Sequence, residues 1–371
     1  MYDVPHSTSW NDSIQVSRLL VLCEGLFNMN NSTLALVNNA DSSVDYNVFL
    51  TVNGRGLGDT ANDMKRYGDR IYITVNVSSQ LEVIDANTFT SIKQVPLFND
   101  KGVARQPRNV VFYQDKVLVS CFDGFVAVLD TAVLEVEKLI QCGRNPDQMV
   151  ISNGKLYVSN SGGLDFPFYD NTVSVVDLSS YKEIKQIEVG LNPGSIVSDS
   201  QNDVYVVTRG DYSEYNLHKI DTEIDTVVHT FENIHPLNMK VMNDVAYMYS
   251  VDYDTKQYWI KQFDCISDKI INEHFVSDST EIKMPFGIEV DPRNGDVYIC
   301  EAYDYVIWGD VLCFNRYGKF KDIIYKTHNR DLEFISRNGE LFMIGIPEKG
   351  FEAKFKRAIL ERTNFFKEEE K

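Results

Sequence analysis

A seven-fold echo runs through this chain. A carboxylate or amide closes a short apolar run at Asn38, Asp85, Asp130, Asp177, Asp221, Asp264 and Asn315. The marks span 277 residues in six intervals, an average of about 46, and a period of roughly 40–50 residues is the length of one propeller blade. A unit of that size cannot bury its apolar faces alone, so successive units must stack on one another.

Each interval carries the same grammar. In the clearest copy, Pro146 to Ser152 is followed by a turn at Asn153-Gly154, and then by Lys155-Leu156-Tyr157-Val158-Ser159-Asn160. A long loop leads to Thr172-Val173-Ser174-Val175-Val176-Asp177, and a tight turn leads to Glu183 to Val189. These are four runs of strand length, named A, B, C and D. They are apolar nearly throughout and rich in β-branched and aromatic residues, which suits sheets packed on both faces and is too short for helices. The place of Tyr157 in the B strand is taken by Leu20, Tyr72, Leu118, Tyr205, Ala246 and Tyr298 in the other copies. Pro107, Pro146, Pro193, Pro236 and Pro285 open A strands, where a proline removes no ladder hydrogen bond.

The expected fold is therefore all-β: a seven-bladed β-propeller of four-stranded antiparallel blades. Residues 18 to 50 supply B, C and D without an A strand, and Arg330 to Ser336 reads as an A strand with nothing in step after it. Pairing them closes one blade with strands from both chain ends and leaves no open edge. This divides the chain into a tail, 1–17, a propeller, 18–336, and an extension, 337–371. The extension holds a possible strand at Glu340-Leu341-Phe342-Met343-Ile344, expected outside the ring, and a short amphipathic helix within Glu348 to Lys371.

Composition removes several classes of function. With 371 residues and 43% hydrophobic content the core needs no metal or disulfide to hold it. The net charge of −18 and the lack of a basic stripe exclude a nucleic-acid partner. No apolar stretch reaches the length of a membrane span. The start at Met1-Tyr2-Asp3 has no leader pattern, which fits a cytoplasmic protein or a mature form equally. Cys23, Cys121, Cys142, Cys265, Cys300 and Cys313 form no CxxC pair and read as small core residues, with Cys300 and Cys313 on neighbouring strands. No nucleophile motif surrounds any histidine, and no phosphate loop is present. Asp252 with Asp254, and Glu301 with Asp304, follow no calcium-loop pattern. No cofactor or metal is expected.

Tyr157-Val158-Ser159-Asn160, Thr172 to Asp177, and Val189-Gly190-Leu191-Asn192-Pro193 resemble the YVTN or YncE-like seven-bladed propellers. Three further segments are similar to a branch found on the surface of gut Bacteroidetes. They are Leu22 to Phe27 with Asn31 to Leu34, Asn53-Gly54-Arg55 through Leu57-Gly58-Asp59, and Asp291 to Tyr298 with Tyr303-Asp304-Tyr305. The resemblance covers roughly residues 18 to 327. It implies a surface lipoprotein of the outer membrane, in a branch that includes proteins capturing vitamin B12 and related cobamides for an outer-membrane transporter. Thr327-His328-Asn329-Arg330-Asp331 departs from the Gly-x-x-Pro-Gly type of closing segment.

Strand alternation places A-to-B and C-to-D turns on one face and B-to-C and D-to-A connections on the other. The first face has tight turns such as Gln114-Asp115 and Asn294-Gly295. The second has the long aromatic loops, and loops on a rigid scaffold are the usual place for binding. The candidate ligand-binding residues lie there: Arg108, Arg144, Asn192, His235 and Phe286 around the channel mouth, with Tyr212, Tyr215, Tyr253, Tyr303, Tyr305 and Trp308 on the loops. Arginine forks suit amide or phosphate oxygens, although both also suit a salt bridge to a neighbour such as Asp147; the rings offer flat apolar area with polar tips, or merely cap blade edges.

Three readings follow from this face. The leading one is a non-enzymatic, extracytoplasmic propeller that captures a large amphipathic ligand, with a cobamide as candidate and an outer-membrane transporter as possible partner. The second is a propeller enzyme of lyase or lactonase type, in which His235 with a channel-lining acid or metal would carry out proton transfer. The third is a scaffold for glycan or protein.

Overall fold

The computed structural model describes residue 10, residues 18–38, 43–212, 214–301 and 310–325, and the short pairs 332–333 and 344–345. Seven antiparallel sheets follow one another along the chain as the blades of a seven-bladed β-propeller, and among the described residues one short helix, Val48–Asn53, lies between the first two blades. Six blades have four strands paired in the order A, B, C, D. Their A strands are Ala61–Tyr67, Pro107–Tyr113, Pro146–Ser152, Pro193–Ser198, Asn238–Met242 and Pro285–Val290. Pro236 thus stands two residues ahead of its strand rather than opening it. The seven expected B strands are all present, beginning with Arg18–Cys23 and ending with Val297–Glu301.

Alternation along each B strand explains its unbroken apolar character. Tyr157 faces the fifth blade, in a cluster with Ile196, Val204 and Ile220, while its neighbours Leu156 and Val158 face the third, with Leu118, Val126 and Ile140. The core is therefore seven separate layers, one at each blade interface. The layer that closes the ring joins Val21, Cys23, Ala35 and Val37 of the first blade to Tyr298, Cys300, Val311 and Cys313 of the last.

The first blade has three strands among the described residues, Arg18–Cys23, Thr33–Asn38 and Ser43–Asp45. Most of its expected fourth strand, Arg330 to Ser336, lies outside the described residues. The two that are described, Leu332 and Glu333, pair with Gly345 and Ile344 in a small sheet of their own. At the start of the chain, Trp10 lies against Gly295 and under the Arg316 guanidinium, 5.5 Å from its ring centre, so that it packs beneath the last blade. The proposed helix in Glu348 to Lys371 lies outside the described residues.

All six cysteines are buried. Cys300 pairs across the sheet with Val311, and Cys313 with Tyr298, so the register does not set the two thiols opposite each other. The repeat marks also acquire a cause. Asp85, Asp130, Asp177, Asp221, Asp264 and Asn315 each accept hydrogen bonds from main-chain N–H groups two to four residues ahead, folding the C-to-D turn around the side chain.

Candidate functional site

A strands of neighbouring blades touch around the hub, while D strands form the exposed rim. A β-bulge interrupts the A–B ladder at the same place in five blades, between Ala61/Asp63, Pro107/Val110, Pro146/Met149, Pro193/Ile196 and Pro285/Gly287. A bulge re-aims side chains. Just ahead of it, Thr60, Gln106, Asn145 and Asn192 hold φ of 61°, 56°, 46° and 56°. Positive φ in residues other than glycine is uncommon and strained, and it clusters at functional sites. Here the carbonyls of these four accept the N–H of the residue that follows the B strand of the same blade, at Asn76, Phe122, Ser161 and Arg209. The repeated corner brings two chain positions to the hub together.

The hub opens on the long-loop face as a cup of about 700 Å³, within the range of small-molecule sites, about 300–1,000 Å³. Three registered positions supply half of its lining. Glu24, Asn76, Phe122, Ser161 and Arg209 each follow a B strand directly. Thr60, Gln106 and Asn192 are strained corners, and Arg108, Asp147 and Phe286 are second residues of A strands. The wall is divided by polarity. Leu237, Tyr249, Tyr253 and Phe286 form an apolar, aromatic side from the last two blades, and Tyr249 donates its hydroxyl to the Phe286 carbonyl.

The opposite side is a chain of charged and amide groups running across five blades. Glu24 Oε1 accepts from Asn62 Nδ2 at 2.8 Å, and Asn62 Oδ1 accepts from Arg108 Nη1 at 2.5 Å. Arg108 Nε donates to Asp147 Oδ1 at 3.2 Å, and Asp147 Oδ2 accepts from Arg209 Nη2 at 2.5 Å. Arg108 also lies over the Phe122 ring, 4.6 Å from its centre. Beneath this chain Asn109 Nδ2 donates to Asp63 at 2.5 Å and its Oδ1 accepts from Met149 N at 3.1 Å, tying three blades together under the cup floor. Among the described residues no group of three or more metal-ligating side chains is present.

Of the sequence-derived candidates, the structure brings Arg108, Asn192, Tyr212, Tyr253 and Phe286 to the cup. Arg144 lies outside it, in a neighbouring depression of about 480 Å³. Its guanidinium donates to Asp165 at 2.8 Å and to the carbonyls of Phe168 and Tyr169, holding the base of the fourth blade's long loop. Tyr215 is buried behind the wall, and among the described residues its hydroxyl has no hydrogen-bond partner. Exposed His235 sets Nδ1 against the Tyr215 carbonyl at 2.6 Å and does not line the cup. Tyr303, Tyr305 and Trp308 lie outside the described residues. Sequence reasoning passed over Glu24, Asp147 and Arg209 as cup residues. Their shared register, directly after a B strand or second in an A strand, was the signal that finds them.

Fold and hub together define a class: a seven-bladed β-propeller with an open cup at the centre of its loop face. The chain belongs to the family described as a domain of unknown function (DUF5074), whose model matches residues 18–329. No curated protein matches it. Among solved structures it is similar to a quinonprotein alcohol dehydrogenase-like protein from Bacteroides thetaiotaomicron, at 16% identity and a TM-score of 0.60, over 82% of this chain and 74% of that one. It is also similar to hydrazine synthase of Kuenenia stuttgartiensis, at 17% identity and a TM-score of 0.53, over 66% and 73% of the two chains. The computationally designed Ika8 protein matches at 10% identity and a TM-score of 0.54, over 88% and 96%. At these identities the likeness is one of fold.

Proposed function

We propose that this propeller is a non-enzymatic binding protein that captures a large amphipathic molecule in its hub cup. The observation that carries the reading is the division of one cavity wall into an aromatic side, Tyr249, Tyr253 and Phe286, and a hydrogen-bonding side, Arg108, Gln148, Asn192 and Arg209. Apolar area supplies the driving force for burying a ligand, and a few placed polar groups fix its orientation. A cobamide is the specific candidate, supported by the resemblance of Leu22 to Leu34, Asn53 to Asp59 and Asp291 to Tyr305 to a surface branch that includes cobamide-capturing lipoproteins. On the same resemblance we place the protein outside the cytoplasm, at the cell surface, handing its ligand to an outer-membrane transporter. The enzymatic alternative loses its histidine, because His235 stands off the cup.

Titration of the purified chain with cyanocobalamin, followed by calorimetry and by the corrin absorption bands, tests this. Saturable heat with a band shift at micromolar ligand is expected. Flat traces in both would remove the cobamide.

A further inference from the structure

The arginines of the loop face are not equivalent. Arg105 is paired with Asp123, Arg108 with Asp147 and Asn62, and Arg144 with Asp165 and two carbonyls. Arg209 differs. Among the described residues its Nη2 bond to Asp147 is its one side-chain hydrogen bond, and its buried Nε has no partner. A guanidinium carries several N–H donors in a fixed fork, and a donor removed from water without an acceptor is costly. The side chain is nevertheless held in place. It lies against Gly194, which has no Cβ to obstruct it, and it lines the cup together with Tyr212 and Tyr253. A half-buried guanidinium fixed at the cup wall, with one of its donors spent on Asp147, presents its remaining exposed N–H edge to an acceptor that arrives with a ligand.

The charge of the cup decides what kind of acceptor. The charged residues of the described lining are Glu24, Asp147, Arg108 and Arg209, two of each sign, and the chain as a whole carries −18. An incoming carboxylate or phosphate would enter a balanced site as an unpaired charge, against the long-range field of the protein. A neutral carbonyl meets the donors without that cost.

We infer that Arg209 is the anchoring donor of the cup and that it takes a neutral carbonyl oxygen, of carboxamide type, from the polar edge of the ligand, whose apolar face then lies toward Tyr249, Tyr253 and Phe286. This rests on the binding reading above and adds to it the chemical group recognised, the residue that recognises it and the orientation of the bound molecule.

Calorimetry with the full chain tests it, using cyanocobalamin and the monocarboxylic acids made by hydrolysing one of its side-chain amides. Arg209→Gln is expected to weaken cyanocobalamin by about tenfold or more. No monoacid is expected to bind the unaltered chain more tightly than the parent amide, and at least one should bind about tenfold more weakly. Should Arg209→Gln fail to fold, Gly194→Ala moves the same guanidinium without removing it and gives the same readout. No binding by the unaltered chain overturns the capture reading and this inference with it. Binding that survives both substitutions within about threefold overturns the role of Arg209 alone, and a monoacid preferred over the amide overturns the choice of a neutral acceptor.

Discussion

Arg209 occupies the space in which residue 194 would carry its side chain. A Cβ built on Gly194 would lie 2.5 Å from the guanidinium carbon and collide with Nη2 and Nε as well. The φ of Gly194 is not among the positive values, so this glycine is required for room rather than for backbone freedom. A second residue of an A strand in one position and a residue following a B strand in another thus share one site at the hub.

Gly194→Ala should therefore separate binding from folding. The obstructing atoms are the far end of a flexible side chain, which can swing away, so the melting temperature should move by only a few degrees. The Arg209–Asp147 bond would be lost, and ligand affinity should fall about as far as in Arg209→Gln. An affinity unchanged beside an unchanged melting temperature would show that Arg209 does not need its bed.

Ring closure rests on apolar packing between the first and last blades. Val21→Ala and Val311→Ala each remove buried methyl groups from that layer and should cost about 1–3 kcal/mol in urea unfolding. Because both residues belong to one layer, the double variant should depart from additivity by about 0.5 kcal/mol or more. Additive losses would indicate that the two blades do not bear on each other.

Much of this fold is legible in the sequence because its determinants are local and repeated. The carboxylate or amide that closes each C run, the apolar B strand and the turn at Asn153-Gly154, both of whose residues hold positive φ, act within a few residues of themselves. The site is less legible because its residues are neighbours only through the ring. Arg108 and Asp147 stand 39 residues apart, and Asp147 and Arg209 62 apart. Arg144 has the same composition cues as Arg108 but sits two residues before its proline instead of one after it, which turns it out of the hub and into a loop-holding contact. The long-loop face was deducible from strand alternation; the partners of each arginine were not.

Tyrosines on B strands latch adjacent blades on the turn face. Tyr157 donates to Asp225 of the next blade at 2.5 Å, where Lys155 also bonds the carboxylate at 2.7 Å. Tyr205 donates to Asp268 at 2.8 Å and to the Cys265 carbonyl at 2.7 Å, one blade further on. Tyr157→Phe and Tyr205→Phe each keep the ring in the core and leave a carboxylate short of a donor. Each should lower the urea midpoint by about 1–3 kcal/mol equivalent with an unchanged slope. A midpoint within error of the unaltered chain for both would mean that the latches carry no net stability.

Stability should have a maximum in mildly acidic solution, because two sets of carboxylates pull in opposite directions. Burial pushes Asp199 up to about 6, reinforced by the charge of Asp203, against opposing bonds from the Asp203 and Gln201 N–H groups and the charge of Lys219. Its folded value lies above that of an unfolded aspartate, about 4, so the folded state binds the extra proton between those values and loses stability as pH rises from about 4 to 6. The turn carboxylates behave conversely. Bonds from Lys116 and from the Val133 and Ala132 N–H groups hold Asp130 at about 2, and bonds from Ser180 and Ser179 hold Asp177 at about 2. Their contribution is complete above about pH 4 and disappears as pH falls toward 2. Melting temperatures between pH 2 and 8 should rise from pH 7 toward 5 and drop below 4. Asp199→Asn keeps an oxygen for the two N–H groups and should raise the melting temperature at pH 7 while flattening the limb between 4 and 6. Asp130→Asn with Asp177→Asn should flatten the acid limb alone, so an Asp199→Asn profile parallel to that of the unaltered chain would place the mid-range titration on another group.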